Sequence, residues 1–454
     1  MPTGASALST DLYELTMMAG YYVSGALGTA TFDLYVRALP SQRGFLLAAG
    51  LEQALDYLET LRFDPPRVGY LRTLPQMRAV PGEFFDRYLA DVRFTGEVWA
   101  VEEGCPVFAS EPILRVTAPV PEAQIVETAL LATIMFQTTI ATKATRVVQA
   151  AAGRPVVEYG SRRAHGIEAG LYAARAAYLG GCAGTSHVEA GFRFGVPVSG
   201  TMAHSWVMTC ADEIEAFRRY ADLFGAHATL LIDTYDTVEA AKRIVAAGLR
   251  PAAVRLDSGD LGALSRTVRT LFDGAGLRDT KIIASGDLDE HRISRLLAEG
   301  APIDGFGVGT ALSTSVDAPA LGGVYKLAEF ERGGALHPTL KLSAGKATYP
   351  GRKQVWRCYR DTRPSHDVIG LAEEPGPPGG VPLLRRVMSG GPRLAAAEPL
   401  AVLQGRARAL AAELPAASRR LDAPEPLDVR PSPALQRLVE RLTREIHRRS
   451  TRTL

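Results

Sequence analysis

Between residues 155 and 310, a series of short segments end on groups able to bind or turn over an anionic, hydroxyl-rich ligand. SGTMAH breaks an apolar run, 196–198, with Gly200 and Thr201 and then presents His204. An imidazole there could act as acid, base or phosphoryl acceptor. LDSGD sets Asp257 and Asp260 around a flexible Ser-Gly pair and ASGD adds Asp287, carboxylates that could serve ribose hydroxyls or a magnesium ion. GFGVGT can expose successive backbone N–H groups from Gly307 through Gly309 to Thr310, donors that take phosphate oxygens without competing side-chain bulk. Arg162 and Arg163 follow EYG, Thr185 and Ser186 close GCAGTS, Asp233 and Asp236 follow an apolar run, and Arg255 stands two residues before Asp257.

Each group also has a plain structural role open to it. His204 could be a hydrogen-bonded histidine at a strand end, and the glycine loop a tight turn. Asp260 and Asp287 could be helix N-caps, and Arg255 a solvated or structural arginine. Tyr13, in STDLYELTM beside Leu12, Leu15 and Met18, has helical spacing that also suits core packing. Lys326, Lys341, Lys346, Arg352 and Lys353 would ordinarily be solvated, although KLSAGKATYPGRKQVWR is cation-dense for a pair of strands.

What would position these groups is a repeated βα rhythm. Apolar runs at 155–160, 181–186, 197–201, 228–234, 252–258, 281–287 and 305–310 alternate with helical patterns, which predicts a parallel sheet. Asp236 and Glu239 suit a capping box before AAKRIVAAG, and Asp287 and Glu290 repeat that spacing. Polar endings on nearly every run favour an irregular (β/α) TIM-like barrel over a doubly wound sheet, because a barrel brings all its strand ends to one mouth. The expected α/β chain therefore has a barrel at 121–334 and an N-terminal α+β lobe at 1–120, which strands from about 335–370 would rejoin. Residues 371–454 read as a loosely structured, Pro/Gly/Ala-rich covering segment ending in an amphipathic helix, 434–449.

Composition narrows the classes. With 454 residues, 46% of them hydrophobic, the chain can bury a large core. A net charge of +2 gives no electrostatic footprint for nucleic acid or an anionic membrane, so any phosphate site must be local. The cysteines, Cys105, Cys182, Cys210 and Cys358, form neither a CxxC pair nor a dense framework, which predicts a reducing, cytoplasmic setting. No segment reads as an export signal or membrane span.

The motifs STDLYELTM, RGFLLAAGLEQAL, EYGSRRAHG, GTSHVEAG, SGTMAHSW, VRLDSGD, IIASGD, FGVGT and KLSAGKATYPGRKQVWR, in this order across roughly residues 9–360, resemble nicotinate phosphoribosyltransferase. The resemblance implies a type II phosphoribosyltransferase barrel, a head-to-tail homodimer with shared sites, and magnesium and ATP beside nicotinate and phosphoribosyl pyrophosphate. The implied products are nicotinate mononucleotide, pyrophosphate, ADP and phosphate. His204 matches the family's phosphorylated histidine. Tyr13 of a partner subunit would stack on the pyridine ring, with Tyr159 at its other face and Arg162 near the carboxylate or phosphates. Thr185, Ser186 and Asp287 would contact substrate. Ser186 stands where related nicotinamide enzymes carry an aspartate that would repel a carboxylate, which favours nicotinate. Asp257 would hold ribose hydroxyls, Arg255 a phosphate, and the backbone at Gly286, Gly307, Gly309 and Thr310 the ribose 5-phosphate, with Lys326, Lys341 and Lys346 as further phosphate ligands. His187 is a departure, since the family more often has asparagine there. The resemblance assigns no metal ligands. Nicotinamide or quinolinate phosphoribosyltransferase, or a non-catalytic phosphosugar-binding protein, are the competing readings.

Overall fold

A computed structural model describes residues 6–343 and 348–450 of the chain. The chain forms two compact units: Met1–Thr138 with Ala320–Glu398 and Ala409–Leu454, and Thr139–Pro319 with Pro399–Arg408.

The second unit is built on a curled sheet of six parallel strands, in the order Gly184–Thr185, Val156–Glu158, Gly305–Val308, Lys281–Ala284, Ala253–Leu256 and Thr229–Leu231. The barrel is thus partial. Of the expected strands, 197–201 does not form. Pro197 lacks an N–H and Gly200 favours no extended ladder, so Val198 makes only an isolated parallel bridge to Thr185. Val156–Glu158 and Lys281–Ala284 each carry two adjacent β-branched residues, and period two divides the side chains of the strands between the faces. Val254, Leu256, Ile282, Ala284, Phe306 and Val308 are fully buried on one face, with the helix Leu261–Gly274 against two of these strands. Each fully buried large aliphatic side chain of this face contributes about 1.5–3 kcal/mol. Arg255 and Ile283, on the other face, are only half-buried.

Helix caps follow the sequence signals with one correction. Asp236 accepts from Glu239 N (2.8 Å) and Asp260 from Ala263 N (3.0 Å), so the capping role of Asp260 is realised. The cap of Glu290–Ala298, however, is Asp289, which accepts from Arg292 N at 2.7 Å. Asp287 instead adopts a left-handed backbone, φ 48°, in the turn before it. The capping-box spacing of Asp287 and Glu290 is thus not used, because the left-handed turn puts Asp289 at the helix start.

The first unit holds a six-stranded sheet ordered Ala335–Pro338, Gly323–Arg332, Thr29–Val36, Leu114–Pro119, Glu97–Ala100 and Arg385–Met388. Thr29–Val36 pairs antiparallel with both neighbours and is buried almost throughout. Phe32 stacks on Tyr325 across it, with centroids 4.8 Å apart. Lys353–Arg360 belongs to a second, four-stranded sheet with Arg363–Leu371, Val381–Pro382 and Asp428–Pro431. Two buried ion pairs lie in this unit: Lys353 Nζ with Asp33 Oδ2 at 2.7 Å, and Arg357 Nη2 with Asp367 Oδ2 at 2.6 Å.

Residues 372–433 are more regular than their composition suggests. They contain the strands Val381–Pro382, Arg385–Met388 and Asp428–Pro431 and the helix Leu400–Glu413, with prolines at the breaks. Arg393 anchors part of this stretch by meeting Glu52, Asp56 and Glu59 on successive turns of Leu51–Thr60. The terminal helix, Pro433–Ser450, forms as expected. Among the described residues no helix is long and apolar enough to cross a membrane, and the four cysteines are free.

Candidate active site

Register fixes which side chains share a tier of the half-barrel. Leu231, Arg255, Ile283 and Gly305 are neighbours across their strands. Two residues further along each strand, period two brings Asp233, Asp257, Ser285 and Gly307 to the next tier on the same face. Hydrogen bonds tie this tier together. Asp257 N and Ser258 Oγ donate to Asp233 Oδ2 at 3.1 and 2.6 Å, and Ser285 Oγ donates to the Asp257 carboxylate. Asp233 Oδ1 in this tier and Arg255 Nε in the tier before it are buried without a partner, which leaves one acceptor and one donor unspent.

The ASGD turn sits directly on this tier. Gly286 has φ 89°, and a Cβ there would stand 1.9 Å from the Asp257 carbonyl oxygen, so no other residue fits. Asp287, next along, is exposed. At Gly307 a Cβ would lie 2.4 Å from the ring of Tyr159, whose half-buried phenol bonds Ser199. Burial pushes that phenol's pKa up, against the pull of Arg255 and the Ser199 bond. Thr310 is exposed and opens the short helix Thr310–Ser313.

Glu158, fully buried, organises the next pair of strand ends. Its carboxylate accepts from Thr185 Oγ1 at 2.6 Å and from Gly160 N, and its carbonyl accepts from Ser186 N at 2.9 Å. Thr185 Oγ1 also accepts from His187 N at 3.0 Å, so this hydroxyl is spent inside the protein, while Ser186 is exposed. Arg162 and Arg163 project from the turn Ser161–Arg163, both exposed. His187 caps Val188–Phe194, its Nδ1 3.4 Å from Ala190 N, a task asparagine also performs.

His204 is the first residue of the helix His204–Met208 rather than the end of a strand. Its Nδ1 lies 3.2 Å from Thr234 Oγ1, one residue beyond Asp233. Trp206 Nε1 donates to Ala216 O at 3.1 Å and holds this short helix against Glu213–Phe224.

Three expected site residues lie outside the half-barrel unit, and a fourth lies outside the described residues. Tyr13 is 45% exposed on Leu12–Ser24, whereas Leu15 and Met18 are buried, so core packing does not account for it. Lys326 Nζ is 3.8 Å from Glu127 Oε1. Lys341 is exposed, with its N donating to Thr348 Oγ1 at 3.1 Å. Lys346 lies outside the described residues.

Comparison with known proteins bears on both units. Residues 8–135 match the nicotinate phosphoribosyltransferase N-terminal domain, and residues 140–318 match the quinolinate phosphoribosyl transferase C-terminal domain. The chain is 46% identical over 394 residues to a nicotinate phosphoribosyltransferase of Mycobacterium tuberculosis, covering 86% of this chain and 83% of that protein. The chain belongs to the nicotinate phosphoribosyltransferase family. It is also 43% identical over 380 residues to the Bacillus subtilis nicotinate phosphoribosyltransferase, with coverage of 81% of this chain and 76% of that one. Among solved structures it resembles human nicotinic acid phosphoribosyltransferase, with a TM-score of 0.83 at 30% identity over 95% of this chain and 99% of the other. It also resembles nicotinate-nucleotide pyrophosphorylase from Pyrococcus furiosus, with a TM-score of 0.73 at 25% identity over 90% and 95% of the two chains.

Within this nicotinate phosphoribosyltransferase fold, Ser285, Thr234 and Glu158 were not singled out from the sequence. A signal existed for each, since they adjoin Gly286, Asp233 and Tyr159 at the tagged strand ends.

Proposed function

We propose that the chain joins nicotinate to phosphoribosyl pyrophosphate, giving nicotinate mononucleotide and pyrophosphate, and that ATP is coupled to this reaction through a phosphohistidine at His204. Family membership supports the transferase. The observation that carries the coupling is the His204–Thr234 contact, which occupies Nδ1 and leaves Nε2 as the ring atom able to accept a phosphoryl group.

In this reading the γ-phosphoryl of ATP passes to His204, ADP leaves, and water later releases phosphate. The pyridine nitrogen attacks C1 of the sugar as the bond to pyrophosphate breaks through an oxocarbenium-like state. Tyr159 forms one wall for the ring, Tyr13 of a second copy the other, and Arg162 and Ser186 meet the carboxylate. Thr185 acts through Glu158 by holding the Ser186 turn. Asp257, held by Ser285, takes the ribose hydroxyls with Asp287. Arg255 and the backbone of Gly286, Gly307, Gly309 and Thr310 meet phosphate, with Lys326, Lys341 and Lys346 at the outer phosphates.

Among the described residues no group of three or more His, Cys, Asp or Glu could hold a metal ion. The free Asp233 Oδ1 beside Asp257 suits a magnesium ion that arrives on a diphosphate and keeps several waters. Such an ion would neutralise charge on the departing pyrophosphate.

The homodimer has its own support. Ile167, Phe192, Met208 and Tyr235 are exposed on the half-barrel unit, and Leu12, Met17 and Val23 on the helix Leu12–Ser24. Apolar surface of this kind on both units fits a head-to-tail pair. The free cysteines suit a cytoplasmic setting.

An assay of nicotinate consumption with phosphoribosyl pyrophosphate, with and without ATP, tests substrate and coupling together. Nicotinate turnover stimulated by ATP is the expected result. Preference for nicotinamide or quinolinate would overturn the substrate, and binding without product would favour a sensor.

A further inference from the structure

The two loops proposed to cradle phosphate share one buried support. Lys143, on the helix Glu127–Ala150, is 2% exposed. Its Nζ lies 2.5 Å from Glu290 Oε2 and 2.7 Å from Asp317 Oδ1. One helical turn on, Arg146 Nε donates to Glu290 Oε1 at 2.9 Å. Glu290, fully buried, is the first residue of the helix that follows the ASGD turn, and Asp317 lies just beyond Thr310–Ser313, the helix that follows FGVGT. One ammonium thus grips the far end of each loop.

We propose that Lys143 is a positioning residue for phosphoribosyl pyrophosphate: it fixes the spacing between the Gly286 turn and the Gly307 loop and thereby sets affinity for the sugar phosphate. The inference rests on the phosphoribosyl transfer proposed above. Two arguments support it. A lysine this buried is stripped of water, a loss its two carboxylates offset only while the geometry is held. The turn it supports also has little slack, because even a Cβ added at Gly286 would collide with the Asp257 carbonyl oxygen. Without Lys143, Glu290 keeps Arg146, but the ammonium that joins it to Asp317 is lost.

The test compares wild type, Lys143→Met, Lys143→Arg and Asp317→Asn in steady-state kinetics with each substrate varied, together with equilibrium binding of ribose 5-phosphate. The expected result for Lys143→Met is KM for phosphoribosyl pyrophosphate raised at least about tenfold, with nicotinate KM within about twofold and ribose 5-phosphate binding weakened in parallel. Lys143→Arg should recover most of the loss. Asp317→Asn, which removes the more exposed partner, should give a smaller rise of the same kind and stands in if Lys143→Met fails to fold. Equal losses for both substrates, or a lower Tm with unchanged phosphate-side KM and binding, would overturn the positioning role. Failure of the underlying reading would look different: wild type itself would show no turnover dependent on phosphoribosyl pyrophosphate.

Discussion

The ring of Tyr159 lies so close over Gly307 that a single added Cβ would come within 2.4 Å of it. Gly307→Ala must therefore move the ring or the loop. We expect kcat/KM to fall about 100-fold, since a displacement near 1 Å in a positioned site costs about that much. Stability should fall by only about 1–3 kcal/mol, the cost of overpacking. Wild-type kinetics in that variant would show that the contact does not shape the site.

His204→Ala should abolish stimulation by ATP while a slow transfer dependent on phosphoribosyl pyrophosphate survives, because glycosyl transfer is assigned to its neighbours. Incubation with γ-labelled ATP should put acid-labile phosphate on wild type and none on the variant. Full ATP stimulation in the variant would end the coupling role.

Acid should weaken the Lys143 cluster. Burial alone would raise the Glu290 pKa, but Lys143 and Arg146 hold it below its ordinary value of about 4.5. A depressed carboxyl contributes stability above the unfolded value and loses it as pH falls through the folded one. The gap in urea midpoint between wild type and Glu290→Gln should therefore be constant above about pH 5 and shrink below the ordinary glutamate value. A gap that stays flat down to the acid limit would contradict the assignment.

Arg357→Met leaves Asp367 buried without its partner. This should cost about 3–5 kcal/mol, whereas the double substitution with Asp367→Leu should recover much of it. Chemical denaturation of the three variants measures the difference. A single variant as stable as wild type would show that the pair contributes little.

What could be read from the chain beforehand follows a physical divide. Strand ends such as LDSGD and GFGVGT were legible because turns that admit only glycine, and carboxylates that follow apolar runs, are local signals. The missing strand at 197–201 was not legible, since Val198 continues the apolar rhythm while Pro197 withholds a ladder donor. Lys143 was hidden inside a helical run, where nothing local distinguishes a buried cation from a solvated one. The exposure of Tyr13, by contrast, follows from its spacing, two and five residues from Leu15 and Met18 and so off their helical face. Pairings such as that of Thr31 with Glu329 depend on contacts that no window of sequence contains.

That last pairing spans 298 residues. During synthesis the strand Thr29–Val36 emerges long before Gly323–Arg332, which must flank it. At about 5–20 residues per second, its edge waits on the order of 15–60 s. The half-barrel sheet, by contrast, has all six strands within one continuous stretch and can pair as soon as that stretch is made. Newly made chains should therefore depend on chaperones chiefly through their first hundred residues, and aggregation should respond to charges placed on that early edge more than to changes in the barrel.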